Sequence, residues 1–147
     1  MKNDFKRAFI DTALFIYLLE EQPDFSDLTE DFLNFCYAND VSLVTSIITH
    51  LEFCVKPYRE RRLDLIDDYN NIIADADIFV TTLTLVDCDH AARLRAKYKG
   101  LKAFDALQIA LAIKERCDIF ACNDKRLKSV KDIDILTLDK LEDFGII

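Results

Sequence analysis

Asp11, Glu52, Asp105 and Asp124 are the residues of this 147-residue chain whose types and surroundings point to chemistry. Two of them close short apolar runs, Asp11 after RAFI and Asp124 after IFACN. Asp105 stands within 103–113, where Asp105 and Gln108 are the only polar residues. A helix that is apolar nearly all round belongs in a core, and an ionised aspartate there costs free energy unless something pairs with it. Gln108 lies three residues on and shares the face of Asp105. Taken singly, each acid has an ordinary use: Asp11 or Thr12, Asp105 and Asp124 as helix caps, and Glu52 in a surface pair with Lys56 worth roughly 0.3 kcal/mol. Gathered at one place, four carboxylates raise one another's pKa and weaken the fold unless a cation intervenes. An oxygen-only ligand set suits one or two Mg2+ or Mn2+ ions. The five cysteines form no CxxC pair and the two histidines complete no zinc spacing.

The elements around these acids alternate in type. Arg7–Ile10 reads as a short buried strand and 13–20 as a buried helix. Pro23 breaks the chain before an amphipathic helix over 25–37, with Leu28, Phe32, Phe35 and Cys36 on one side. A second strand over 41–44 ends at Thr45–Ser46. From Ile47 the apolar positions 47, 48, 51, 54, 55 and 58 follow helical spacing, with Thr49, Glu52 and Lys56 as the opposing polar stripe. Pro57 is expected to bend or end that helix. Residues 60–73 are again helical, 78–86 read as a Val/Ile/Thr-rich strand, and Asp87 or Asp89 caps a helix to about Tyr98. Gly100 stops it. The core helix follows, then the strand Ile119–Cys122, whose lack of polar alternation marks a strand covered on both faces. A last strand spans 133–138, with a helical tail over 139–144. The alternation predicts a single α/β domain over 1–147 with a mostly parallel sheet of about five strands. In such sheets ligands bind beyond the carboxyl ends of the strands, where strand order reverses. All four acids fall at that end.

A net charge of −8 and a pI near 4.7 exclude a generic polyanion binder. Contact with nucleic acid must then come from local cations, and two clusters flank the acids: Arg93, Arg95, Lys97, Lys99 and Lys102 before Asp105, and Lys125, Arg126 and Lys128 after Asp124. The odd cysteine count fits buried, reduced thiols in the cytosol. The apolar run 8–19 after Lys2, Lys6 and Arg7 looks superficially like a leader. Asp11 interrupts it, no small-residue cleavage site follows, and it is too short to span a bilayer, so the expectation is a soluble protein with no membrane partner. His50 and His90 read as surface or packing residues rather than general bases.

The segments FIDTALFIYLLE, TSIITHLEF, FDALQIALA and CNDKRL together resemble the motif set of PIN-domain ribonucleases, above all the toxin half of VapBC-type toxin–antitoxin pairs. The resemblance spans nearly the whole chain in order and spacing. It implies a three-layer α/β/α domain and a metal-dependent endoribonuclease. In that reading Asp11, Glu52, Asp105 and Asp124 are the catalytic, metal-binding acids, and Thr12 and Asn123 are supporting residues. The RNA-contact candidates are Arg93, Arg95, Lys97, Lys102, Lys125 and Arg126. The implied partners are RNA, a cognate antitoxin and a second copy of the chain. Three positions depart from residues common in the family: Cys122 for Thr or Ser, Phe104 for Pro, and Ala13 for Ser or Asn. Other readings are a catalytically weak PIN-like module that binds RNA or protein, and an aspartyl-phosphate phosphatase or receiver-like domain. The last two match poorly, because Asp11-Thr12-Ala13 lacks the second acid both require.

Overall fold

In the computed structural model, which describes residues 4–20 and 22–147, the chain runs β1 (Arg7–Ile10), α1 (Thr12–Leu19), α2 (Ser26–Ala38), β2 (Ser42–Ser46), α3 (Ile47–Arg59), α4 (Leu63–Asp75), β3 (Phe79–Thr81), α5 (Leu85–Lys97), α6 (Ala103–Lys114), β4 (Ile119–Cys122) and β5 (Asp134–Thr137). Two 3-10 segments, Lys125–Ser129 and Leu138–Phe144, follow β4 and β5. The five strands form one sheet in the order β3-β2-β1-β4-β5, and every pairing is parallel. Strand order reverses between β1 and β4. There the Asp11 N–H donates to the Ala121 carbonyl at 3.0 Å, extending the pairing to the first residue beyond β1.

The two central strands are apolar on both faces because helices cover both. Phe9 and Phe120 stack at 5.2 Å between ring centroids and pack with Val44, Cys122 and residues of α5 and α6. Ala8, Ile10, Ile119, Ala121 and Leu136 face the other layer, built from α1, α2 and α4. Burying each Phe stabilises the fold by about 2–3 kcal/mol. Ala106, Ala110 and Ala112 are fully buried, and these small side chains let α6 lie close against its neighbours.

Several expectations change. The predicted strand 78–86 shrinks to Phe79–Thr81, and Leu85 and Val86 are exposed in the first turn of α5. Thr84 rather than Asp87 or Asp89 is the N-cap: its hydroxyl accepts from the Asp87 N–H, and the Asp87 carboxylate accepts from the Thr84 N–H, a capping box. Pro57 does not end α3 early, since the helix continues to Arg59. The polarity of α3 is also rearranged. Thr49 is fully buried, while Ile47, Leu51, Val55 and Tyr58 are exposed. The helical tail is a 3-10 segment beginning at Leu138. All five cysteines are free, with Cys88 exposed and the others buried. Lys2, on which the leader-like pattern partly rested, lies outside the described residues. Among the described residues no helix is long and apolar enough to cross a membrane.

Candidate active site

Because each helix returns antiparallel to its strand, helix N-termini and strand carboxyl ends meet at one edge of the sheet. Asp11 occupies the N-cap position of α1, yet its side chain makes no cap bond of full geometry. It is half-buried, and burial pushes its pKa up to about 7. The Thr12 N–H opposes that rise, while Asp105, Glu52 and Asp124 add to it by repulsion. Glu52, in the second turn of α3, accepts from Thr12 Oγ1 at 2.9 Å. Burial raises its pKa, the Thr12 bond opposes the rise, and Asp105 adds to it. The expected pair with Lys56 does not form, and Lys56 Nζ lies instead 3.4 Å from Glu20.

Asp105 lies in the first turn of α6, where Lys102 holds the N-cap position and makes no side-chain cap bond. Burial and then Asp124 raise its pKa, and Lys102 and Arg126 lower it. Asp124 does realise its capping role. Its Oδ1 accepts from the Arg126 N–H at 3.0 Å, and Arg126 Nε and Nη2 grip the two carboxylate oxygens at 3.0 and 2.8 Å. That grip holds its carboxyl below the usual carboxylate range. The four acids from four segments therefore act on one another through space, three pushed toward the neutral form and the fourth neutralised by an arginine.

Oxygen donors of this kind fit a hard divalent cation. A zinc-type set is not offered: the Cys122 thiol is buried and pushed up to about 12, so it is no thiolate at neutral pH. Among the described residues, no three His, Cys, Asp or Glu are drawn together as a ready ligand cluster. Arg126 occupies both oxygens of Asp124, with two bonds on Oδ1 and one on Oδ2.

Of the supporting residues, Thr12 is buried and bonds Glu52, whereas Asn123 Nδ2 donates to Tyr17 Oη at 2.9 Å, tying the turn after β4 to α1. The Cys122 thiol reaches only the Asp124 carbonyl, at 3.9 Å. Among the RNA-contact candidates, Lys102 and Arg126 act on the site acids. The others are engaged elsewhere: Arg93 with Asp89, Arg95 with the Leu101 carbonyl, Lys97 with Asp132, and Lys125 with Asp139. His50 lies edge-on to Tyr69 at 5.6 Å. Sequence reasoning missed a group of buried hydroxyls, Thr45, Ser46 and Thr49, beneath the site. Their signal was present, since VTSIIT places three hydroxyls across a strand–helix junction otherwise filled by apolar residues.

A five-stranded parallel sheet with acids gathered at its order reversal defines the class, and comparison with known families agrees. The PIN domain model matches residues 8–133, so the chain belongs to the PIN domain family. The fold is similar to that of a chain in a toxin–antitoxin complex from Klebsiella pneumoniae, at 19% identity and a TM-score of 0.68, covering 89% of this chain and 97% of that one. It is also similar to a chain of VapBC2 from Rickettsia felis bound to a DNA fragment from its promoter, at 16% identity, a TM-score of 0.70, and coverage of 89% and 98%. VapC20 of Mycobacterium tuberculosis, a sarcin–ricin-loop-cleaving toxin, aligns at 14% identity with a TM-score of 0.66, covering 83% and 94%. Among curated protein sequences none matches the chain.

Proposed function

We propose that this PIN domain is a metal-dependent endoribonuclease and the toxin of a toxin–antitoxin pair, acting in the cytoplasm. One observation carries the reading. Asp11, Glu52, Asp105 and Asp124 come from four separate segments to the carboxyl edge of the sheet, where Asp11, Glu52 and Asp105 are held with raised pKa. Burial first, and then the neighbouring acids, disfavour the charged form of all three, a cost that a bound cation would offset. Mg2+ or Mn2+ at these acids would supply Lewis-acid chemistry, polarising the scissile phosphate, lowering the pKa of an attacking water and stabilising the leaving 3′ oxygen. Lys102 and Arg126 border the acids and supply cationic contacts for the RNA backbone, in a chain whose net charge otherwise repels it. The similarity to toxin–antitoxin structures supports an antitoxin as a protein partner, and a second copy of the chain is the other partner proposed. Two surfaces are available to them: the exposed apolar stripe Ile47, Leu51, Val55 and Tyr58 on α3, and an open groove of about 1500 Å3 between α2 and α4 whose lining mixes apolar residues with Asp40, Asp68, Asp75 and Asp77.

End-group analysis tests the reaction. Hydrolysis by water with the 3′ oxygen leaving yields 5′-phosphate and 3′-hydroxyl ends. Ends bearing a 2′,3′-cyclic phosphate would show instead that the RNA's own 2′-hydroxyl attacks, and the proposed chemistry would fall.

The grip of Arg126 on Asp124 favours a second reading, a PIN-like module that binds RNA or protein with weak turnover. Arg126→Ala decides how far that grip matters. Exposed ion pairs are weak, so releasing Asp124 is expected to tighten Mn2+ binding by no more than about fivefold, read by calorimetry. Unchanged or weaker binding would show that Arg126 does not compete with the cation.

A further inference from the structure

We infer that Gln108 is the positioning residue of this site, setting the orientation of Glu52 and of the Ile10–Asp11 backbone from the helix that carries Asp105. The inference rests on the hydrolytic reading above and extends it to a residue that touches none of the four acids.

Gln108 is 0% exposed on a helix whose neighbours Ala106, Ile109, Ala110, Leu111 and Ala112 are also buried. An unpaired amide in such a place is destabilising, and a Leu or Met would fill the volume without that cost. Its bonds are therefore the reason for its presence. Gln108 Oε1 accepts from Ser46 Oγ. Its Nε2 donates to Thr49 Oγ1 at 2.8 Å and reaches Thr12 Oγ1 at 3.5 Å. Beyond Thr12 the chain passes to Glu52 Oε1. Beyond Thr49 it passes to Thr45, with the two hydroxyls 2.9 Å apart, and Thr45 Oγ1 donates to the Ile10 carbonyl at 2.9 Å.

Counting protons gives the network a direction. Ser46 Oγ already accepts from the Ile48 N–H, and its own proton goes to Gln108. Each threonine hydroxyl has one proton to give. Thr12 spends it on the Glu52 carboxylate, so Thr12 must accept from the Gln108 amide. Thr45 spends its proton on the Ile10 carbonyl, so the bond between Thr45 and Thr49 uses the proton of Thr49, which in turn accepts from Gln108. This assignment serves both terminal acceptors, and only a side chain with one acceptor and two donors can stand at its head. One arm ends on the acid of α3. The other ends on the carbonyl immediately before Asp11. Gln108 thus ties three of the four acid-bearing segments to one another.

The test compares the parent with Gln108→Met, which keeps volume and removes the hydrogen bonds, and with Thr12→Val, which cuts only the Glu52 arm and is the milder change should the first variant fold poorly. Both are expected to weaken Mn2+ binding by about tenfold or more, and to lower kcat at saturating Mn2+ by a similar factor with KM for RNA little changed. Parent-like Mn2+ affinity and kcat in a folded variant would overturn the inference and leave Gln108 a packing residue. A separate readout needs no catalysis: in metal-free protein the Tm shifts of Gln108→Met and Glu52→Gln should be non-additive, although the two side chains do not touch. If the parent neither binds Mn2+ nor cleaves RNA, the hydrolytic reading fails by itself, and this cycle still decides the positioning role, additive shifts overturning it.

Discussion

Asp11→Asn is expected to raise the unfolding temperature of the metal-free protein at pH 8 while abolishing RNA cleavage. The two effects have one cause. Burial, aided by the neighbouring acids, lifts the Asp11 carboxyl to about 7 from an ordinary value of 3.8. Above pH 7 the folded state must hold that group ionised. At about 1.36 kcal/mol per pKa unit, the penalty reaches an upper limit of about 4 kcal/mol, and a neutral amide removes it. The sign follows from linkage. Between about pH 4 and pH 7 the folded state binds more protons than the unfolded chain, so the Asp11 contribution is fully present below the unfolded pKa and is lost as pH rises through 7. Glu52 and Asp105 shift in the same direction. Asp124 shifts oppositely, because Arg126 favours its charge, and its contribution is lost as pH falls. Thermal melts of metal-free parent and variant across pH 4–9 should therefore diverge as pH rises. A variant less stable than the parent at pH 8 would make Asp11 a structural residue, and the argument from its buried charge would fail.

The second large effect is its complement. Mn2+ or Mg2+ should restore at neutral pH what burying these charged acids side by side removes. A cation at about 100 times its dissociation constant stabilises the folded state by about 2.7 kcal/mol, which a thermal melt reads as an increase of several degrees. Asp105→Asn should abolish most of that increase without lowering the metal-free Tm, since burial and Asp124 disfavour the charged form of the Asp105 carboxyl. A large metal-free loss in Asp105→Asn would mean that the carboxylate supports the first turn of α6, and would count against its role as a ligand.

Much of this architecture was legible in the sequence, and the exceptions share a physical cause. β1 and β4 are read at their true bounds because a strand covered on both faces is apolar at every position, a pattern that needs no partner to interpret. Asp11, Asp105 and Asp124 stood out because each interrupts or closes an apolar run, whereas Glu52 sat in an ordinary polar stripe. Segment 78–86 misled because Val, Ile and Thr suit both an edge strand and an exposed helix start, and Thr84 with Asp87 forms a capping box that binary patterning does not register. On α3 the polarity rule failed for a more informative reason. Thr49 is buried because Gln108 and Thr45 satisfy its hydroxyl, and that satisfaction is tertiary. The same blindness hid the role of Gln108: its position beside Asp105 was visible, its partners on β2, α1 and α3 were not. The basic clusters show the opposite limit, since charge sequence alone could not tell that Arg93 and Lys97 are already paired and that Arg126 is turned onto an acid of the site.

The most direct test of the whole account is cleavage of an end-labelled RNA by the purified protein in Mn2+, in EDTA, and with Asp11→Asn in Mn2+. The acidic quartet predicts cutting in the first case, none in the second, and none in the third. Cleavage that survives both chelation and loss of Asp11 would contradict it.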